Sequence, residues 1–171
     1  MKKFLISSAG IVVILIFAVG YGHFYGLKNL SGYELNNFAT VETNQYTTNL
    51  DRGRHLSTIS GCNGCHGGNY QGMDFINEAP IGYVPAPNLT SAGPVANYTD
   101  NDWVKAIRHG IAKDGRVMVA MPSYHYSAYG DDDLAELIAY LKQIPAVEDK
   151  FRKRDIQFPG SIIFGILAYD S

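Results

Sequence analysis

The sequence predicts an all-α protein: one long apolar helix at the N-terminus, followed by a small helical domain. Three observations lead there. Residues 4–27 contain no Asp, Glu, Lys or Arg and lie between Lys3 and Lys28. Residues 99–111 and 131–141 carry apolar side chains at helical spacing. Between the helical stretches, residues 67–94 are rich in Gly, Asn and Pro and have no regular period, a long loop that a compact domain keeps when it wraps something. The chain has 171 residues and a formal net charge of −2, which fits one domain of ordinary size beyond the N-terminal segment. Nothing in the composition points to nucleic acid.

The N-terminal stretch is densest from Gly10 to Val19. It is longer than the apolar part of an ordinary signal peptide, and Ala18-Val19-Gly20 is the only passable cleavage sequence. About 20 residues are enough to cross a bilayer as a helix. Tyr21, Phe24 and Tyr25 fall where interfacial aromatics belong. An uncleaved anchor over residues 1–27 is therefore expected. Lys2 and Lys3 would stay in the cytoplasm, placing everything after Lys28 outside. Residues 28–46 are polar and rich in Asn, Thr, Ser and Gly, and read as a linker that lifts the domain off the membrane.

A first domain helix is expected over residues 48–60, with Leu50, Gly53, Leu56 and Ile59 at helical spacing and Gly61 stopping it. Immediately afterwards comes Cys62-Asn63-Gly64-Cys65-His66, which holds both cysteines of the chain. C-x-x-C-H is the attachment sequence for c-type haem. The two thiols add across the porphyrin vinyl groups, and the following imidazole meets the iron from the proximal side. A thioredoxin-like redox pair lacks its βαβ surroundings here. Half of a zinc site lacks the second C-x-x-C or H-x-x-x-H that would complete it. One covalent haem c, bound through Cys62 and Cys65 with His66 on the iron, is the reading that remains. The haem is then what residues 67–94 wrap.

Residues 99–111 predict a second helix, with Thr99 as N-cap, Asp100 and Asp102 in the first turn, and Trp103, Val104, Ile107 and Ile111 on one face. Trp103, the single tryptophan, fits either ordinary core packing or a place against the haem edge. The last helix follows Gly130: Asp131, Asp132 and Asp133 suit its positive end, Leu134, Leu137, Ile138 and Leu141 form its apolar stripe, and Pro145 lies just beyond its stop. The triple aspartate needs no metal to explain it.

Candidates for the sixth iron ligand are Met73, Met118, Met121, His55, His109 and His125. Met121 has the best context. It precedes Pro122, which holds it out of helical geometry, and it lies in the last loop before the last helix. Met118 and His125 remain alternatives.

With these motifs in place the chain resembles the class I monohaem cytochromes c, and in particular those of membrane-bound bacterial dehydrogenase and oxidase chains. The matching residues are Gly53-Arg54-His55-Leu56, Cys62 to Gly68, Pro87-Asn88-Leu89-Thr90, Met121-Pro122-Ser123-Tyr124, Asp131-Asp132-Asp133-Leu134, Ala139-Tyr140-Leu141 and Ile144-Pro145. They lie within a domain of residues 47–147. The resemblance implies a cytochrome c-like helical fold in which the first and last domain helices cross, Gly53 permitting contact near Tyr140. It implies that Met121 is the distal ligand. It also implies that Pro87 and Asn88 lie against the haem, with a backbone carbonyl orienting His66. One departure is Gly130, where the group usually has Ser.

Residues 148–171 form a tail with a basic cluster, Lys150-Phe151-Arg152-Lys153-Arg154, then Ile162-Ile163-Phe164 and Ile166-Leu167. It is too short to span a membrane, and packing back on the domain is expected, with a partner interface or the membrane surface as alternatives. The functional expectation is a single-electron carrier rather than an enzyme. It would sit at the bacterial inner membrane with its haem domain on the periplasmic side, between redox protein partners: a membrane dehydrogenase, an oxidase or another cytochrome. A haem-based gas sensor or peroxidase-like protein with a labile sixth ligand is the alternative, as is a fixed subunit of a membrane oxidoreductase.

Overall fold

The structure, a computed structural model, describes residues 2–32, 38, 40–148 and 153–168, without the side chains of residues 2–7 and 167. Lys150, Phe151 and Arg152 of the basic cluster lie outside the described residues. The chain starts with helix α1 (Lys2–Asn29). Its stretch Ser8–Asn29 has a mean hydropathy of 1.9 and is almost entirely unburied by protein. At 1.5 Å per residue those residues span about 33 Å, long enough to cross a bilayer.

A short 3-10 turn at Thr43–Gln45 leads to α2 (Leu50–Ile59), whose N-cap Asn49 accepts from the amides of Asp51 and Arg52. The buried stripe of α2 is Gly53, Leu56 and Ser57. Leu50 and Ile59, expected on that face, are 40% and 63% exposed. They stand three residues either side of the true contact line, which is centred on Gly53 and Leu56. The turn α3 (Cys62–Cys65) follows at once.

Residues 67–94 are not wholly irregular. They contain strands β1 (Met73–Glu78) and β2 (Gly82–Ala86), paired antiparallel with an irregularity between Asp74 and Ile76. Neither announces itself in sequence. No residue of β1 is fully buried, so it shows no apolar alternation. β2 contains Pro85, a residue ordinarily confined to strand edges. It is tolerated because the third strand pairs only with Gly82 and Tyr83, leaving Pro85 a neighbour on one side.

Helix α4 (Asp100–His109) begins with a capping box in which Thr99 accepts from the Asp102 amide and the Asp102 carboxylate accepts from the Thr99 amide. Then come the single-turn α5 (Ser123–Tyr126) and α6 (Asp131–Leu141). The tail supplies β3 (Asp155–Ile156), the outer strand beside β2, and α7 (Gly160–Leu167).

Two apolar cores result. The larger joins α2, α4 and α6 through Leu56, Trp103, Val104, Ile107, Leu134, Leu137, Ile138 and Leu141, with Tyr70, Leu89 and Val95 from the loops. Trp103 is 4% exposed and meets Tyr98 edge-on, so its place is core packing. The crossing of α2 and α6 is close because position 53 has no side chain. A Cβ there would overlap the Glu136 carbonyl oxygen and stand 2.8 Å from Tyr140 Cβ. Arg52 pairs across the crossing with Asp133 and, at 3.0 Å, with Glu136.

The smaller core gathers Leu30, Val84, Ile111, Val117, Phe164 and Ala168. Leu30 lies in the stretch that reads as linker, yet it is 2% exposed. Its carbonyl accepts from the Val117 amide at 3.3 Å and from Arg154 Nη2 at 3.1 Å. Val41, further along that stretch, is buried in the larger core. Polar composition concealed these two anchoring apolar residues. The end of α1 is thus built into the domain, and the tail packs on both.

Candidate haem site

The cysteines sit on one tight turn. Gly61 ends α2 at φ +73, and its carbonyl accepts from the amides of Gly64 at 3.0 Å and Cys65 at 3.1 Å. Cys62 O accepts from the His66 amide at 2.8 Å. Both thiols are free and partly exposed. Burial pushes the Cys62 thiol above its usual range, against a hydrogen bond with Ser57.

His66 is buried, at 9% exposure. Its Nδ1 is 2.8 Å from the carbonyl oxygen of Pro87. A carbonyl only accepts, so this contact puts the ring proton on Nδ1 and leaves the lone pair on Nε2. Burial lowers the imidazole's pKa, which favours the neutral ring, while the Pro87 contact opposes that shift. Nε2 has no hydrogen-bond partner among the described residues.

The segments that carry His66 and Pro87 are fastened at three points. Gly72 N donates to His66 O at 2.7 Å, and Leu89 N donates to Tyr70 O at 2.9 Å. Asn88 is fully buried, its Nδ2 donating to Val147 O at 2.7 Å and its Oδ1 accepting from the Thr90 amide at 2.8 Å and hydroxyl at 2.7 Å. The Asn88 side chain is thus engaged in pinning its own loop to the segment after α6.

Met121 lies between tight turns, its amide donating to Met118 O at 3.1 Å and its carbonyl accepting from the Ser123 amide at 2.9 Å. It is partly buried against the larger core, the same core on which Cys62 packs. Met118 is not among the residues packed there. Of the other candidates, Met73 is 36% exposed on β1, His55 and His125 are exposed, and the His109 ring faces Phe38.

Tyrosines that the motif reading passed over surround the cysteine turn. Tyr126 donates to Ser60 O at 2.9 Å, Tyr129 shares a 2.6 Å contact with Ser60 Oγ, and Tyr70 shares a 2.8 Å contact with Ser57 Oγ. Burial pushes the Tyr126 hydroxyl up to about 12, with Cys62 and Cys65 close enough to add to the shift. The signal available in sequence was compositional: twelve tyrosines, three of them at positions 124, 126 and 129.

These residues fit a c-type haem. Two thiols share one turn, the next imidazole has a fixed tautomer with a free Nε2, and a thioether packs on the same core as the first cysteine.

Residues 48–141 match the family described as cytochrome c oxidase, cbb3-type, subunit III. The chain belongs to this family. Relatives of the chain include the fructose dehydrogenase cytochrome subunit of Gluconobacter japonicus, 31% identical over 66% of the chain and 25% of that protein. The gluconate 2-dehydrogenase cytochrome c subunit of Pantoea cypripedii is 31% identical over 73% of the chain and 30% of its own length. The cbb3-type cytochrome c oxidase subunit CcoP of Helicobacter pylori (strain 52) is 27% identical over 71% of the chain and 37% of its own. The chain therefore matches between a quarter and two-fifths of the length of these relatives. It is a cytochrome c-type chain related to dehydrogenase and oxidase cytochrome c subunits.

Proposed function

We propose that this chain is a single-electron carrier, holding one haem c through Cys62 and Cys65 with His66 and Met121 as axial ligands. The observation that carries this is the His66–Pro87 contact, which presents a buried imidazole with its Nε2 lone pair free beside two free thiols. When bound, the haem supplies a one-electron iron couple, and a His/Met ligand pair raises its potential relative to stronger donors. The protein's part is structural and electrostatic. Pro87 O fixes the ring orientation of His66, Asn88 fixes Pro87, and the turns around Met121 hold its thioether on the core shared with Cys62. With His66 and Met121 both holding the iron, the haem would offer no place for a substrate.

The span of α1 supports a membrane-held protein, and Lys2 and Lys3 support a haem domain on the periplasmic side of the bacterial inner membrane. Kinship with dehydrogenase and oxidase cytochrome subunits supports redox proteins of those classes as donor and acceptor. An optical spectrum of the dithionite-reduced full-length protein, taken before and after carbon monoxide, tests the ligation. An unchanged spectrum is expected. A prompt shift of the Soret band would replace electron transfer with gas sensing or peroxide chemistry.

A further inference from the structure

The C-terminal helix α7 reads Gly-Ser-Ile-Ile-Phe-Gly-Ile-Leu, and its one polar side chain, Ser161, is completely buried. The helix therefore offers no polar side chain to water. Ile163 and Ile166 are instead 46% and 61% exposed, and Phe158 just before them is 49% exposed. A helix of this composition facing bulk solvent would be costly, at about 25 cal/mol for each Å² of apolar surface left wet.

Its position says what covers it. α7 docks on the last turns of α1, where a Cβ on Gly165 would overlap Gly26 Cα and stand 2.9 Å from Gly26 O. Ile162 packs over Gly22. Ser161 Oγ lies 2.5 Å from Nδ1 of His23, the one histidine in the span, and Asn29 Nδ2 donates to Gly165 O at 3.3 Å. From Gly22 to Asn29 the contact zone covers about 10 Å of α1, roughly the last third of a ~30 Å hydrocarbon layer. At the same level α1 exposes Tyr21, Phe24 and Tyr25, with Tyr21 and Tyr25 stacked. Lys28 follows in the last turn of α1, and Lys153 is next in sequence to the Arg154 that binds Leu30. Apolar side chains, then aromatics, then cations is the order of a membrane boundary.

We infer that α7 lies in the membrane–water boundary, docked on the end of α1, with Ile163 and Ile166 in lipid. The inference rests on reading α1 as a membrane span. The partner surface is the lipid of the leaflet itself, continuous with the lipid around α1, rather than a second protein.

The test uses full-length protein in phospholipid vesicles with a nitroxide at one introduced cysteine: Ile163→Cys or Ile166→Cys, with Ile14→Cys as the mid-span reference and Ala92→Cys as the water reference. Unsubstituted protein labelled in parallel corrects for any label on Cys62 or Cys65. Relaxation by dissolved oxygen is compared with relaxation by a water-soluble nickel chelate. Labels at 163 and 166 are expected to favour oxygen severalfold over the Ala92 label and to approach the Ile14 label. Accessibility like that of Ala92 would overturn the inference and leave the anchor standing. So would labels immobilised and shielded from both reagents, the sign of a protein partner. Nickel access at Ile14 would instead remove the membrane reading of α1, and this inference with it.

Discussion

The Pro87 carbonyl oxygen stands 2.8 Å from His66 Nδ1, and the next residue, Asn88, is fully buried and fastened to Val147. The orientation of the imidazole is therefore set by a loop that is itself tied to the segment beyond α6. Asn88→Ala would leave the buried Thr90 amide without its partner and Val147 O with only the Thr90 hydroxyl at 3.4 Å, a cost of about 1–3 kcal/mol. A lower denaturant midpoint is expected, together with a shifted reduction potential. An unchanged potential would mean that Pro87 keeps its place without Asn88.

Met121 and Met118 are separable by spectroscopy. In Met121→Ala the reduced protein is expected to bind carbon monoxide, and the oxidised protein to lose any sulfur-to-iron charge-transfer band. Met118→Ala should retain the unsubstituted spectrum. The reverse pattern would transfer the distal role to Met118.

Gly53 is the close-contact point of the larger core. Gly53→Ala puts a methyl group into the Glu136 carbonyl and against Tyr140. Overpacking of this kind costs about 1–3 kcal/mol, and urea unfolding should show it as a lower midpoint with an unchanged slope. A neutral result would mean that the crossing of α2 and α6 can open without penalty.

Asp102 closes the capping box of α4 and pairs with Lys113 Nζ at 3.1 Å. Burial pushes its carboxyl up, but the Thr99 amide and hydroxyl and the Lys113 ammonium outweigh that and hold it below the usual carboxylate range. A depressed folded-state value means stability present above the unfolded value and lost as pH falls through the folded one. Asp102→Asn should therefore melt lower than the unsubstituted protein near neutrality, and the two curves should converge in acid. Parallel curves down to strongly acidic pH would remove the charge from the account.

Arg154 donates to Val117 O at 2.7 Å and to Leu30 O at 3.1 Å, and its burial lowers its pKa. Arg154→Leu strands the Val117 carbonyl and leaves Leu30 O with the Val117 amide alone, so faster hydrogen exchange at the Val117 amide is expected, with a loss of about 1–3 kcal/mol. Unchanged exchange would show that packing and the Val117 amide hold Leu30 without Arg154.

The parts legible in sequence were those with strong periodicity or local chemistry: α1, the capped α4 with Thr99, the acidic start of α6 and the C-x-x-C-H turn. What escaped was set by contacts between distant segments. The strands β1 and β2 carry no alternating pattern, because one is exposed except at Ile76 and the other interrupted by Pro85. Leu30 and Val41 are single apolar residues in a polar stretch, and only the tertiary fold gives them burial. At the site, the residue types and spacing in Cys62–His66 were readable. The encircling tyrosines were not, since Tyr70 reaches the turn from one distant segment and Tyr126 and Tyr129 from another.

The shared carbonyl of Leu30 gives the membrane helix and the domain a common rotational phase. A helix turns about 100° per residue. One residue inserted between Gly26 and Leu30 would swing the glycine face away from α7 or drag Leu30 out of its core, since both cannot stay satisfied. A domain on a tether would ignore such an insertion, whereas here the azimuth of the protein around its own membrane axis is written into the count of residues between two contacts.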